Sequence, residues 1–86
     1  MVYVDPATLP HGPYIAYSRD GTLIGTICMV PLKEMNEHKS VEDLMMPAAK
    51  VVSMEAYYTN GHPGVEEPHY HFVLWHVPEE QVHAAQ

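Results

Sequence analysis

The stretch "KVVSMEAYYTN" at 50–60, the loop "GHPGVEEP" at 61–68 and the run "HYHFVLWHV" at 69–77 decide how this chain folds. Both outer runs are rich in β-branched and aromatic residues, so each reads as a strand. The segment between them is too long for a tight turn and too rich in Gly and Pro for a helix. It is therefore a loop, and loops held by a rigid scaffold are where binding groups tend to sit. Side chains alternate along a strand, so His69 and His71 share a face, about 6 to 7 Å apart along the backbone. Tyr70, Phe72 and Leu74 take the other face, which is read as the core face. His76 has that second parity and is expected at the strand end, hydrogen-bonded to a backbone carbonyl.

Earlier in the chain, "YIAYS" and "LIGTICMV" flank "RDGT", and Asp-Gly between β-prone runs signals a hairpin because Gly accepts a positive φ. Strands are expected at about 13–18 and 22–30, with Cys28 as a small core residue. "PLKEMNEHKSVEDLMMP" opens and closes with proline, and Ser40 with Asp43 resembles an N-cap box. One broken helix or two short ones are expected between 31 and 46, with Met35, Met45 and Met46 as adaptable core filler. Residues 1–13, with prolines at 6, 10 and 13, read as an extended arm. After Pro78, "EEQVHAA" could begin a helix with glutamates in its first turn. The fold class that follows is α+β: one domain over 1–86, a small antiparallel sheet in ββαββ order, and that C-terminal helix.

The totals narrow the function. At 86 residues, burial leaves a modest surplus over chain entropy, and a lone cysteine cannot form an internal disulfide. A metal or a partner subunit is left as a staple, and a homo-oligomer is expected. Four basic residues stand against 11 acidic ones, a balance that repels phosphate backbones and excludes nucleic acid as a partner. The longest near-apolar run, at 23–32, is too short to cross a bilayer, and no signal peptide is visible, so the compartment stays open.

Histidines and acids crowd the second half, where a cation is the partner they would attract. His69 and His71 are the natural pair of ligands. His62 on the Gly/Pro loop is the third, and Glu66, Glu67 and, from the neighbouring strand, Glu55 are further candidates beside Tyr57. Nitrogen and oxygen donors without thiolate suit Zn, Cu, Ni, Mn or Fe as a divalent ion, and no small-molecule ligand is indicated. His11, His38 and His83 read as solvated surface.

"GHPGV" at 61–65 and "PHYHFVLW" at 68–75 resemble the C-terminal signature of a family of small uncharacterised bacterial proteins, which runs G-H-x-P-x-G-V, a short gap, then P-H-F-D-F-H-F-Y. "DGTLIGTICMVPLKEM" resembles that family's turn, strand and helix start. The resemblance implies a compact α+β subunit assembling into a ring or other homo-oligomer, with His62 and His69 as carried-over histidines. His71 stands where the family has aspartate, and Val73 where it has a last histidine. The segment also resembles the first cupin motif, although Gly64 lies one residue too close and His76 stands where the acid belongs.

Three readings follow. In the first, an oligomeric domain binds metal through His62, His69 and His71. In the second, a cupin-like enzyme uses Glu66 or Glu67 as general base for a metal-bound water. In the third, a structural assembly module responds to pH through its histidines without metal. Nothing supports nucleophilic catalysis, because Ser18, Ser40 and Ser53 lack an elbow motif.

Overall fold

The computed structural model describes residues 1–78 and 80. It contains five strands, β1 (Val2–Val4), β2 (Tyr14–Tyr17), β3 (Leu23–Pro31), β4 (Ser53–Thr59) and β5 (His69–Trp75), with one short helix, α1 (Leu32–Asn36), after β3. They form a single sheet in the order β1-β2-β3-β5-β4, and each neighbouring pair is antiparallel. β5 thus lies inside the sheet, between β3 and β4.

The α+β class and the ββαββ order are corrected to an all-β-like sheet with one short α-helix and, among the described residues, a 3-10 turn at Pro6–Thr8. Two local causes explain the difference. Prolines do not prevent residues 2–4 from pairing with β2, where Val2, Tyr3 and Val4 face Ala16, Ile15 and Tyr14, so the arm supplies a fifth strand. The expected helices over 31–46 shrink to Leu32–Asn36, because His38 and Asp43 both adopt positive φ, which ends an α-helix. A short helix persists only when an apolar face is buried, and Met35, Met45 and Met46 are all exposed. They are therefore not core filler, and no second helix starts at the Ser40 and Asp43 box. The helix expected after Pro78 lies almost wholly outside the described residues.

The Asp-Gly hairpin joins β2 to β3, with Gly21 at φ +87° and its amide donating to the Ser18 carbonyl at 3.1 Å. Its register slips between Ala16 and Tyr17, a bulge that re-aims the strand end. On β5 the expected faces are inverted. His69, His71 and Val73 are buried, whereas Tyr70, Phe72 and Leu74 are only half-buried. The reason is what lies above the histidine face: the 60–68 loop folds back, and Val65 packs against Tyr14 and Met29, beside Val4 and Ile27. A second small cluster, Ala16, Ile24 and Val77 with Trp75, closes the far end of the sheet. Cys28 is buried, as a small apolar residue would be, and burial pushes its thiol pKa up.

His76 sits at the strand end, where its Nδ1–H donates to the Lys50 carbonyl at 2.8 Å and its Nε2 accepts from the fully buried Thr26 hydroxyl at 2.7 Å. That latch, with the Val52 amide donating to the Trp75 carbonyl, sets where β4 begins.

Val73 is 2% exposed on the central strand, so Val73→Ala should lower unfolding free energy by about 1 to 3 kcal/mol. Met45 is 80% exposed, and Met45→Ala should change it by less than about 0.5 kcal/mol. Urea midpoints at unchanged slope would measure both.

Candidate metal centre

Four backbone features bring three imidazoles together. First, β5 aims His69 and His71 at one face, where they lie opposite Thr59 and Tyr57 of β4. Second, His62 and Val65 exchange backbone hydrogen bonds of 3.0 Å in both directions around Pro63-Gly64, and Gly64 has φ +96°. Proline then glycine at positive φ is the residue signature of a type II turn. Third, Val65 buries its side chain on the sheet and so presses this turn onto the histidine face. Fourth, Gly61 has φ +125°, and a Cβ there would overlap the Glu66 carbonyl oxygen. Only glycine lets the two ends of the loop pass so closely.

The result is a triangle of Nε2 atoms. His69 and His71 are 2.8 Å apart, His62 and His69 3.1 Å, and His62 and His71 3.3 Å. His69 is fully buried, His71 is 9% exposed and His62 is half-buried. Each opposite ring nitrogen has its own partner. His62 Nδ1–H donates to the Pro63 carbonyl at 3.1 Å, and His69 Nδ1–H donates to the Glu67 carbonyl at 2.7 Å. His71 Nδ1 meets the Tyr57 hydroxyl at 2.8 Å, and the two rings lie tilted at 43° with centroids 4.7 Å apart.

A carbonyl only accepts, so the Nδ1 of His62 and of His69 must carry the proton. Their Nε2 atoms then present lone pairs to one another and to His71. Such a convergence is repulsive unless a cation or a proton lies within it. For a tetrahedral ion bound at about 2.0 to 2.1 Å, ligand nitrogens lie about 3.3 to 3.4 Å apart. The three edges are at or slightly below that value, so a small outward relaxation would admit one ion. The Nδ1 contacts are the outer hydrogen bonds that orient histidine ligands in metal sites.

Among the described residues, these three histidines form the group whose ligand atoms all lie within 4.8 Å of one another. Of the six candidates named from sequence, His62, His69 and His71 are therefore brought together. The carboxylates of Glu55, Glu66 and Glu67 do not belong to that group. Glu55 lies opposite Val73, two residues before Tyr57 on β4. Glu67 lines a groove with Leu32, Lys33, Asn36, Glu37 and Pro68, and it serves the site through its backbone carbonyl. Glu66 does so by the close approach to Gly61. His11 pairs instead with Glu34 at 2.8 Å, tying the N-terminal segment to α1. Sequence reasoning placed Tyr57 beside the histidine face without giving it a role. Its hydrogen bond to Nδ1 follows once β4 and β5 are in register. The two carbonyl acceptors left no signal in residue type.

Burial, and then the charges of His69 and His62, hold the His71 pKa below its ordinary 6.5. Burial, and then Glu55, raise that of Tyr57.

The architecture is similar to the crystal structure of hypothetical protein TTHB210 from Thermus thermophilus, with a TM-score of 0.84 and 38% sequence identity. The alignment covers 98% of this chain and 78% of that one. No protein-family model matches the chain. No curated protein matches it either.

Two outcomes are expected. Gly61→Ala should withdraw His62 and weaken zinc binding at least about tenfold while β-sheet circular dichroism persists, as read by titration with a competing chelator. In the metal-free protein, the lowered His71 pKa means that the fold favours neutral imidazole. Its contribution to stability is therefore fully present above about pH 6.5 and is lost as pH falls through the lowered value. Melting temperature should drop between about pH 7.5 and pH 5, and the drop should be smaller in His71→Gln.

Proposed function

This chain belongs to the same family as hypothetical protein TTHB210, and from that premise we propose that it is a divalent-metal-binding protein with one ion held by His62, His69 and His71. A single observation carries the reading. Three Nε2 atoms converge at 2.8 to 3.3 Å while each Nδ1 is held by a separate partner. Three neutral imidazoles favour borderline ions such as Zn, Cu(II) and Ni over Mg or Ca, which prefer oxygen. The G-H and P-H elements shared with that signature fall on His62 and His69, two of the three residues that build the site, which supports carrying that signature over to this chain, with His71 in place of its aspartate.

Assembly belongs to the same proposal. β4 is an edge strand exposed along nearly its whole length, with Met54, Tyr57 and Tyr58 at 63%, 46% and 43% exposure, and Val51 and Val52 precede it at 46% each. An unpaired apolar edge is a template for a second chain. A mass in solution equal to one chain, by light scattering, would remove assembly and leave the metal site standing.

The reading with a metal-bound water and Glu66 or Glu67 as base draws no support from the positions of those carboxylates. The pH-responsive reading is favoured by one observation, the lowered His71 pKa. Among the described residues, no helix is long and apolar enough to cross a membrane.

Elemental analysis of untagged protein beside His69→Ala/His71→Ala tests the metal. One equivalent in the parent and none in the variant is expected. No metal in the parent after incubation with Zn, Cu, Ni, Mn and Fe would leave the pH-responsive reading.

A further inference from the structure

We propose that Tyr57 is the positioning residue that lets His71 move its ring proton from Nε2 to Nδ1 when an ion enters: its hydroxyl donates to His71 Nδ1 when the site is metal-free and accepts from it when an ion is bound. The proposal rests on the metal-binding reading above, and it assigns the step that reading leaves open.

The three histidines are not equivalent. His62 and His69 face carbonyl oxygens at Nδ1, 3.1 and 2.7 Å away, so their tautomers are fixed with Nε2 unprotonated. His71 alone faces a hydroxyl, at 2.8 Å, a group that either donates or accepts. Three converging lone pairs in a nearly dry site are costly without a cation. One proton among them relieves the repulsion, and His71 is where that proton fits without breaking an Nδ1 bond. In that state Tyr57 Oη–H donates to His71 Nδ1, and His71 Nε2–H donates to His69 Nε2. The shortest edge of the triangle, 2.8 Å, joins these two nitrogens, as a hydrogen bond requires.

When an ion enters, His71 Nε2 must give up its proton. That proton passes to water, and a proton from water arrives at Nδ1. His71 stays neutral, and the hydroxyl turns so that its oxygen accepts from Nδ1–H. Tyr57 is 46% exposed, which leaves the turned hydroxyl proton a water to bind. No net proton is released by the ring, so the protein passes between the two states without a buried unpaired donor in either. A carbonyl in place of Tyr57 would serve only the metal-bound state.

The geometry also explains why this residue is on β4. Tyr57 is the direct cross-strand partner of His71, its ring lies tilted against the imidazole, and its hydroxyl reaches back past the ring to Nδ1. Phenylalanine would keep the packing and remove only the switchable group.

Long-range proton–nitrogen NMR on histidine-labelled protein at mildly alkaline pH reads each tautomer directly, with and without one equivalent of zinc. His62 and His69 should be Nδ1–H throughout. His71 should be Nε2–H without zinc and Nδ1–H with it. In Tyr57→Phe the amide fingerprint should be retained, while the zinc dissociation constant rises about tenfold. The His71 Nδ1 proton, visible in the zinc-bound parent, should then exchange too fast to be seen. His71 as Nδ1–H in zinc-free parent, or an unchanged zinc affinity in Tyr57→Phe, would overturn the switch while leaving metal binding intact. Spectra indifferent to zinc in the parent would instead remove the metal reading, and the switch with it.

Discussion

Full burial of the His69 imidazole is the constraint around which this small sheet is arranged. A side chain with two polar nitrogens has no water to satisfy it there, so each nitrogen needs a protein partner or an ion. The Glu67 carbonyl takes one nitrogen, which requires the chain to bend two residues before β5 begins. The other nitrogen meets His62 and His71, which requires the loop to return over the sheet. Val65 supplies the apolar contact that makes the return favourable, and Gly61 supplies the clearance. Removing the loop would expose the imidazoles together with Tyr14 and Met29, so loop and strand form a single unit of structure.

The position of β5 within the sheet follows from the same demand. An edge strand is covered on one side only, whereas β5 is bonded to β3 and β4 along seven registered pairs each. Rigid backbone on both sides holds His69 and His71 at a fixed separation. It also fixes Tyr57 opposite His71, so one side of the site is set by strand register while the other, with His62, is set by a turn. The half-buried His62 is the member that an entering ion would meet first, and it is held by a local turn rather than by the sheet.

Much of this was legible in residue order, and the parts that were not share a cause. Alternation in "HYHFVLW" put His69 and His71 together, and Gly and Pro in "GHPGVEEP" marked the loop that carries His62. Alternation does not say which face is buried, and ranking residues by apolarity chose Tyr70, Phe72 and Leu74. The loop's tertiary contact through Val65 reversed that choice. Helix capping patterns at 31–46 were likewise outweighed, because local propensity gives a marginal helix and exposed methionines give it nothing to bury. Acidic side chains at 66 and 67 looked like ligands, yet their contribution is a carbonyl and a close backbone approach, which residue type does not encode. Tyr57 was placed near the site by parity, but the direction of its hydroxyl needed the register.

A site that occupies the buried face of a five-stranded sheet cannot be independent of folding. The described apolar core is small, eight buried residues of which six form two clusters of three. Where a larger domain would put aliphatic side chains, this one puts three imidazoles whose lone pairs repel. An ion that binds the folded chain and not the unfolded one adds about 2.7 kcal/mol at a free concentration roughly one hundred times its dissociation constant. For a domain whose total stability is of order 5 to 15 kcal/mol, that is a large fraction. Acid works in the opposite direction, because burial disfavours a charged His71 and protonation of more than one imidazole sets like charges about 3 Å apart. The same three nitrogens therefore tie the fold to metal on one side and to pH on the other, and β4, which begins at the His76 latch and carries Tyr57, is the strand through which either change would reach the exposed edge of the sheet.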